Sequence, residues 1–255
     1  MGSRLLNASG RRAARSQPPR PRLFFDKAPE VIYAVGDVHG CYDLLTRLEQ
    51  QIADNAARFP GDKWIVMLGD YVDRGPRSSD VIHHLVGPPP PDFTRYCLAG
   101  NHEQLMLSYL ERPDPEHAWL SLGGRETLHS YGIRQVLERQ AMQPVLTRQI
   151  PAQHVEFIRR APSLISVPGF VFVHAGLRPE IPLSQQSEQD MLWIRPHDDL
   201  APSSTELLTV HGHTPVPAVE ARGGRINIDT GAFASGILSS VRILRNGRVS
   251  HLSLR

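Results

Sequence analysis

The chain has 255 residues, of which 40% are hydrophobic and 21% charged; that is enough apolar material for one generous domain or two small ones, and too much for wholesale disorder. No run approaches the ~18–20 apolar residues that cross a bilayer, so no membrane span is predicted. The formal charge of +2 is uneven: Arg4, Arg11, Arg12, Arg15, Arg20, Arg22 and Lys27 face only Asp26 and Glu30 in the first 30 residues, which leaves the rest net acidic and without a basic surface for nucleic acid.

Taken in chain order, residues 1–28 read as a basic, Pro-rich disordered tail, because Pro18, Pro19 and Pro21 interrupt any amphipathic helix. The tail lacks the continuous apolar stretch of a secretory signal, and Cys41 and Cys97 form no disulfide framework, so a cytoplasmic protein with two reduced thiols is expected. Residues 29–255 are expected to form a single domain. Val31–Val35 reads as a buried strand ended by Gly36-Asp37, and Tyr42–Ala56 as a helix with Leu44, Leu45, Leu48 and Ile52 on one face. Trp64–Leu68 and Arg95–Leu98 read as two more strands, separated by a helix over about 78–85 that the Pro88–Pro91 run terminates; another helix follows from about Glu103. Three strand–helix units in series predict a parallel α/β sheet with right-handed crossovers. Residues 113–160 look helical and loosely punctuated, as in a cap or insertion shaping specificity. Strand-like runs at 163–167, 170–173, 207–210, 225–228 and 238–244 then predict a β-rich, antiparallel second half.

The chemistry lies where strands end. Gly36-Asp37-Val38-His39-Gly40, Gly69-Asp70-Tyr71-Val72-Asp73-Arg74-Gly75 and Gly100-Asn101-His102-Glu103 each follow a predicted strand. Val173-His174-Ala175-Gly176 and Val210-His211-Gly212-His213-Thr214-Pro215 repeat the pattern later. Ligands of open parallel sheets bind at the carboxyl ends of strands, where such loops converge. The donors are oxygen and nitrogen only, which suits Mn²⁺, Fe²⁺ or Zn²⁺ and argues against thiolate sites. Asp37 and His39 can chelate one ion from an extended segment. Asp70, Asn101, His174 and His213 can serve a second, with a carboxylate bridging the two; a pair of ions about 3.5–4 Å apart suits in-line displacement at phosphorus.

Five such motifs in this order resemble the metallophosphoesterases, specifically the phosphoprotein phosphatase family in its bacterial form, through Trp193-Ile194-Arg195 and Asn227-Ile228-Asp229-Thr230-Gly231 as well. The resemblance runs from Gly36 to Pro215 and implies a layered α/β fold: a β-sandwich flanked by helices with an embedded βαβαβ unit. It implies Asp37 and His39 on one metal, Asp70 bridging, and Asn101, His174 and His213 on the other, His213 rather than His211 because it directly precedes Thr-Pro. It further implies His102 as general acid, Asp73 as its carboxylate partner, and Arg74 and Arg195, with Asn101, as substrate-binding groups. Two divalent ions, Mn²⁺ in the first place and Fe or Zn otherwise, are the cofactors it implies, with water activated between them and no phosphoenzyme. Pro215 stands where many phosphodiesterase-type members carry a second metal histidine, which points to phosphomonoesters and to phosphoserine or phosphothreonine protein, or a small phosphoester, as substrate. Gly40-Cys41-Tyr42-Asp43 also resembles the diadenosine tetraphosphate hydrolases, the alternative enzyme class. A non-catalytic phosphopeptide-binding protein is a third reading, disfavoured because no implied ligand or proton donor is missing. Asp229 reads as a turn former or as support for a ligand. Nothing in the sequence indicates the oligomeric state.

Overall fold

Val31–Val35 (β2) is buried at all five positions, and its side chains divide by parity between two cores, as the two-residue period of a strand requires. Val31, Tyr33 and Val35 face helices, whereas Ile32 and Ala34 face a second sheet. The computed structural model describes residues 19–195 and 207–254; residues 1–18 of the expected tail lie outside them. From β2 the chain runs through α1 (Tyr42–Ala56), β3 (Lys63–Met67), α2 (Ser78–Val86), β4 (Phe93–Cys97) and α3 (Asn101–Glu111). The β2–β3 and β3–β4 pairs are parallel, so β2–α1–β3–α2–β4 is the expected βαβαβ unit. Its helices cover one face, with Leu45, Leu48 and Ile52 of α1 and Val81, Ile82 and Leu85 of α2 in one cluster with Ile65 and Met67 of β3.

The segment 113–160 supplies a 3-10 turn (Ala118–Leu122), α4 (Gly124–Ser130), α5 (Arg139–Gln149) and α6 (Ala152–Arg160). Beyond it come β5 (Leu164–Val167), β6 (Phe170–Val173), α7 (Glu188–Trp193), β7 (Leu208–His211), β8 (Glu220–Arg222), β9 (Arg225–Asn227), α8 (Ala232–Ser235), β10 (Leu238–Leu244) and β11 (Val249–Leu254). One sheet has the order β11-β10-β2-β3-β4 and the other β1-β5-β6-β7-β9-β8, where β1 is Arg22–Phe24. Their inner faces meet through Ile32, Ala34, Val66 and Leu68 on one side and Ile165, Phe172, Val210 and Ile226 on the other. The molecule is a β-sandwich with helices on its outer faces. Among the described residues, no helix is long and apolar enough to cross a membrane.

Two expectations need correction. The second half is not simply antiparallel, since β6–β7 and β7–β9 are parallel. The reason is connection length: β6 reaches β7 through α7, a crossover of the kind parallel pairing requires, whereas the tight Gly223-Gly224 turn makes β8–β9 antiparallel. Nor does the ordered body begin near Pro29. β1 pairs in parallel with β5, and Leu23, Phe25 and Ala28 pack against the core between the sheets. Arg20 anchors the start of this segment: it donates to the carbonyls of Ile158 at 2.7 Å and Ala161 at 3.2 Å, and its Nε lies 3.4 Å from Glu188. The prolines and arginines that read as a tail therefore include an edge strand.

Candidate metal centre and proton donor

Each ligand-bearing motif leaves its strand at the carboxyl end, so both sheets deliver side chains to one rim. Asp37 and His39 follow β2, Asp70 follows β3 and Asn101 opens α3 after β4, while His174 follows β6 and His213 follows β7. The turns are tight. Five of the six non-glycine residues with positive φ among the described residues are His39, Asp70, Asp73, Arg74 and His213, with φ between 43° and 75°. Strained backbone of this kind persists only where its surroundings over-determine it. Two glycines are required by close approach: a Cβ on Gly100 would overlap Oδ1 of Asp70, and one on Gly212 would overlap Oδ1 of Asp37.

Asp70 sits between two groups of donors. On one side its Oδ2 lies 3.5 Å from Nε2 of His39. On the other its Oδ1 lies 3.4 Å from Nε2 of His174. Oδ1 of Asn101 is 2.9 Å from Nε2 of His174 and 3.1 Å from Nδ1 of His213. Donors about 2.1 Å from a common ion, at right angles to one another, stand about 3 Å apart. Asp70, Asn101, His174 and His213 therefore fit a divalent cation. His39, Asp70 and His102 form the second compact group, sharing Asp70 with the first. The imidazoles are prepared for ligation: Nδ1 of His39 donates to the Val72 carbonyl at 2.8 Å and Nδ1 of His174 to that of Leu68 at 2.9 Å, which leaves Nε2 as the free donor atom on each ring. Burial lowers the basicity of His39, His174 and His213, to about 3 for His39 and His213, which favours the neutral imidazole that metal binding would require.

Asp37 stands outside both compact groups. Its carboxylate accepts the His213 amide at 3.1 Å, and burial together with Asp229 and Asp70 raises its pKa well above the ordinary carboxylate value. Such a crowd of carboxylates suits a divalent cation. Asp229 closes a turn by accepting the Gly231 amide at 2.9 Å, and burial raises it to about 6.

His102 makes different bonds from His39, His174 and His213. Its Nδ1 lies 2.6 Å from Oδ2 of Asp73, while its Nε2 faces Nη2 of Arg74 at 3.2 Å. Burial opposes a charge on this ring, but Asp70 and Asp73 outweigh burial and hold it above the ordinary histidine range. Asp73 is fixed in turn by Trp119, whose Nε1 donates to Oδ2 at 2.7 Å, and by Thr127, whose hydroxyl donates to Oδ1 at 2.6 Å. Segment 113–160 thus meets the site through Asp73. Glu103 accepts the amides of Asp70, Tyr71, Val72 and Gly100 at 2.8–3.2 Å and so shapes the Asp70 loop. Arg195 is exposed just beyond α7, near enough that its charge lowers His213 further.

Sequence reasoning missed Trp119 and Thr127, which lie in a helical stretch with no motif spacing, and gave Glu103 no role although it completes Gly100-Asn101-His102-Glu103. It missed Phe233 as well, whose ring lies against His39 and Arg74; the adjoining Thr230-Gly231 was the only signal.

Residues 31–250 match the family model of the calcineurin-like phosphoesterases. The chain belongs to that family. This calcineurin-like phosphoesterase is 28% identical over 230 residues to bis(5'-nucleosyl)-tetraphosphatase PrpE of Halalkalibacterium halodurans, covering 82% of this chain and 88% of the relative. It is 29% identical over 227 residues to serine/threonine-protein phosphatase 2 of Escherichia coli K12, covering 83% and 92%. Among solved structures it is similar to a protein provisionally named diadenosine tetraphosphatase, with a TM-score of 0.64 at 20% identity over 91% of this chain and 96% of the other. A serine/threonine phosphatase from Saccharomyces cerevisiae follows at 0.59 and 16%, over 94% and 84%. The family makes the phosphoesterase a hydrolase, and its Asp and His groups are able to hold metal.

Proposed function

We propose that this phosphoesterase hydrolyses phosphomonoesters with two divalent ions, manganese in the first place, and that phosphoserine and phosphothreonine of proteins are its main substrate class in the cytoplasm. The observation that carries the reading is the 2.6 Å bond between His102 and Asp73, with the other nitrogen of the imidazole turned to Arg74. An alkoxide is a poor leaving group and needs a proton as the P–O bond breaks, whereas a nucleotide leaving from an anhydride does not. Once Arg74 turns from Nε2 to a phosphoryl oxygen, a charged His102 supplies that proton from Nε2. Arg74 aims its fork at the same volume and can hold a phosphoryl oxygen there, and Arg195 can approach from the His213 side. Ions held by Asp37, His39 and Asp70, and by Asp70, Asn101, His174 and His213, would supply a water of lowered pKa and Lewis-acid stabilisation of the phosphoryl oxygens.

A second reading is hydrolysis of dinucleoside polyphosphates, favoured by the name of the PrpE relative. Turnover of Mn²⁺-loaded protein on a phosphothreonine peptide and on diadenosine tetraphosphate, side by side, separates the two. The peptide is expected to have the higher kcat/KM, and His102→Asn is expected to cost roughly 10²–10⁴-fold on the peptide and much less on the anhydride. Full activity of His102→Asn on the peptide would remove the proton-donor role, and a large preference for the anhydride would establish the second reading.

A further inference from the structure

Phe233 is 41% exposed, one of three large apolar side chains so exposed among the described residues. Single exposed apolar residues are ordinary; the position of this one is not. Its ring meets His39 edge-on, with centroids 5.5 Å apart at 84°, and the Arg74 guanidinium lies over its face at 4.7 Å. His39 in turn meets His102 edge-on at 4.7 Å, and Arg74 reaches Nε2 of His102 at 3.2 Å. Phe233, His39, His102 and Arg74 therefore form a closed circuit of contacts around one corner of the rim.

The turn that carries Phe233 is rigid. The Ser235 hydroxyl donates to the Thr230 carbonyl at 2.6 Å and the Thr230 hydroxyl to the Ile237 carbonyl at 2.8 Å, with glycines of positive φ at 231 and 236 on either side. Its neighbour Ala232 is buried, so the ring is presented at the rim from a seated backbone.

We propose that Phe233 adds a second leaving-group class to the phosphoserine and phosphothreonine argued above: its exposed ring receives the planar part of an aryl leaving group, so that the site also takes aryl phosphomonoesters and binds a small aryl group more tightly than a small alkyl one. The proposal rests on the site's being the phosphoester site argued above. The side is set by His102, the proton donor, because the group that leaves must depart past its Nε2, and Arg74 joins that nitrogen to Phe233. An aryl ring leaving there meets an aromatic face already polarised by a guanidinium, an arrangement that favours offset or edge-on ring contacts. An alkyl chain gains only general apolar contact.

Two non-hydrolysable probes test this by calorimetry on the Mn²⁺-loaded protein: phenylphosphonate and methylphosphonate. Wild-type protein is expected to prefer the phenyl compound, with Phe233→Ala reducing that preference by about 2- to 12-fold. Phe233→Trp is expected to keep it and Phe233→Leu to lose most of it. An unchanged preference in Phe233→Ala overturns the proposal. So does an equal loss for both probes, which would mean that the ring only seats Arg74, and so does failure of the wild type to bind either. If the expected binding pattern holds while no phosphomonoester is turned over, the assignment of Phe233 stands and the proposed activity falls.

Discussion

Asp73 holds Nδ1 of His102 at 2.6 Å, and in the proposed mechanism it thereby sets how firmly that ring keeps its proton. Burial leaves no water to stabilise its charge, and three side chains do so instead: His102, Trp119 and Thr127, at 2.6–2.7 Å. Its backbone, at φ 75°, is pinned by the Ser78 and Thr127 hydroxyls, which accept the Asp73 amide at 3.0 and 2.8 Å. Removing the carboxylate charge removes part of what raises His102. Asp73→Asn should therefore lower the pKa of the imidazolium, so that the donor loses its proton at lower pH. The alkaline limb of kcat/KM on a phosphothreonine peptide is expected to move to lower pH, and activity at pH 8 to fall at least tenfold. Trp119→Phe keeps the aromatic packing, removes one donor to Asp73 and should cost less. An alkaline limb that stays in place in Asp73→Asn would mean that His102 is not the group it reports.

Among the elements, α1, α2 and β4 are tied by one buried charge cluster. Glu49 of α1 accepts from Nη1 of Arg95 at 3.0 Å and is bonded to Nε2 of His84 at 2.5 Å, and Nη2 of Arg95 donates to the carbonyls of His84, Leu85 and Gly87, which caps the end of α2. Burial alone would push the Glu49 carboxyl up, but the His84 bond and Arg95 outweigh it and hold it below the usual range. The carboxylate thus binds its proton less readily folded than unfolded. Its contribution to stability is present above pH ~4.5 and is lost as pH falls through the lower, folded value. Glu49→Ala leaves the Arg95 guanidinium buried without its partner and is expected to cost about 3–5 kcal/mol in urea unfolding at pH 7, with the difference from wild type shrinking below pH 4. A loss under 1 kcal/mol would show the cluster to be well hydrated. The same three elements show what the sequence made legible. Buried parallel strands and amphipathic helices announce themselves by apolar runs and periodicity, and the prediction for α1 matches its observed limits, Tyr42–Ala56. β8, exposed at all three positions, and β1, at the sheet's edge, carry no such pattern, because their formation depends on partners distant in sequence.

At the scale of the molecule, the donors come from both layers of the sandwich. His39, Asp70 and Asn101 belong to the helix-covered sheet, and His174 and His213 to the other. The five motifs were legible because each is a glycine-containing turn at a strand end, whereas Trp119, Thr127 and Phe233 become part of the site only when the chain folds on itself. A cation held by Asp70, Asn101, His174 and His213 would join the two sheets at their common rim, so metal binding should act on global stability and not only on turnover. For one site filled at 100 times its Kd the gain is about 2.7 kcal/mol. For a chain of this size that corresponds to a rise in Tm of roughly 5–10 °C. Thermal unfolding with Mn²⁺ and with excess chelator is expected to show that interval in the wild type. Asp70→Asn, which weakens both compact groups at once, should lose most of it, while His102→Asn should keep it if His102, as proposed, serves the leaving group and His39 and Asp70 hold their ion with Asp37. Equal Tm values with metal and chelator would mean that the sheets are held together without an ion, and a loss of the interval in His102→Asn would make that residue a ligand.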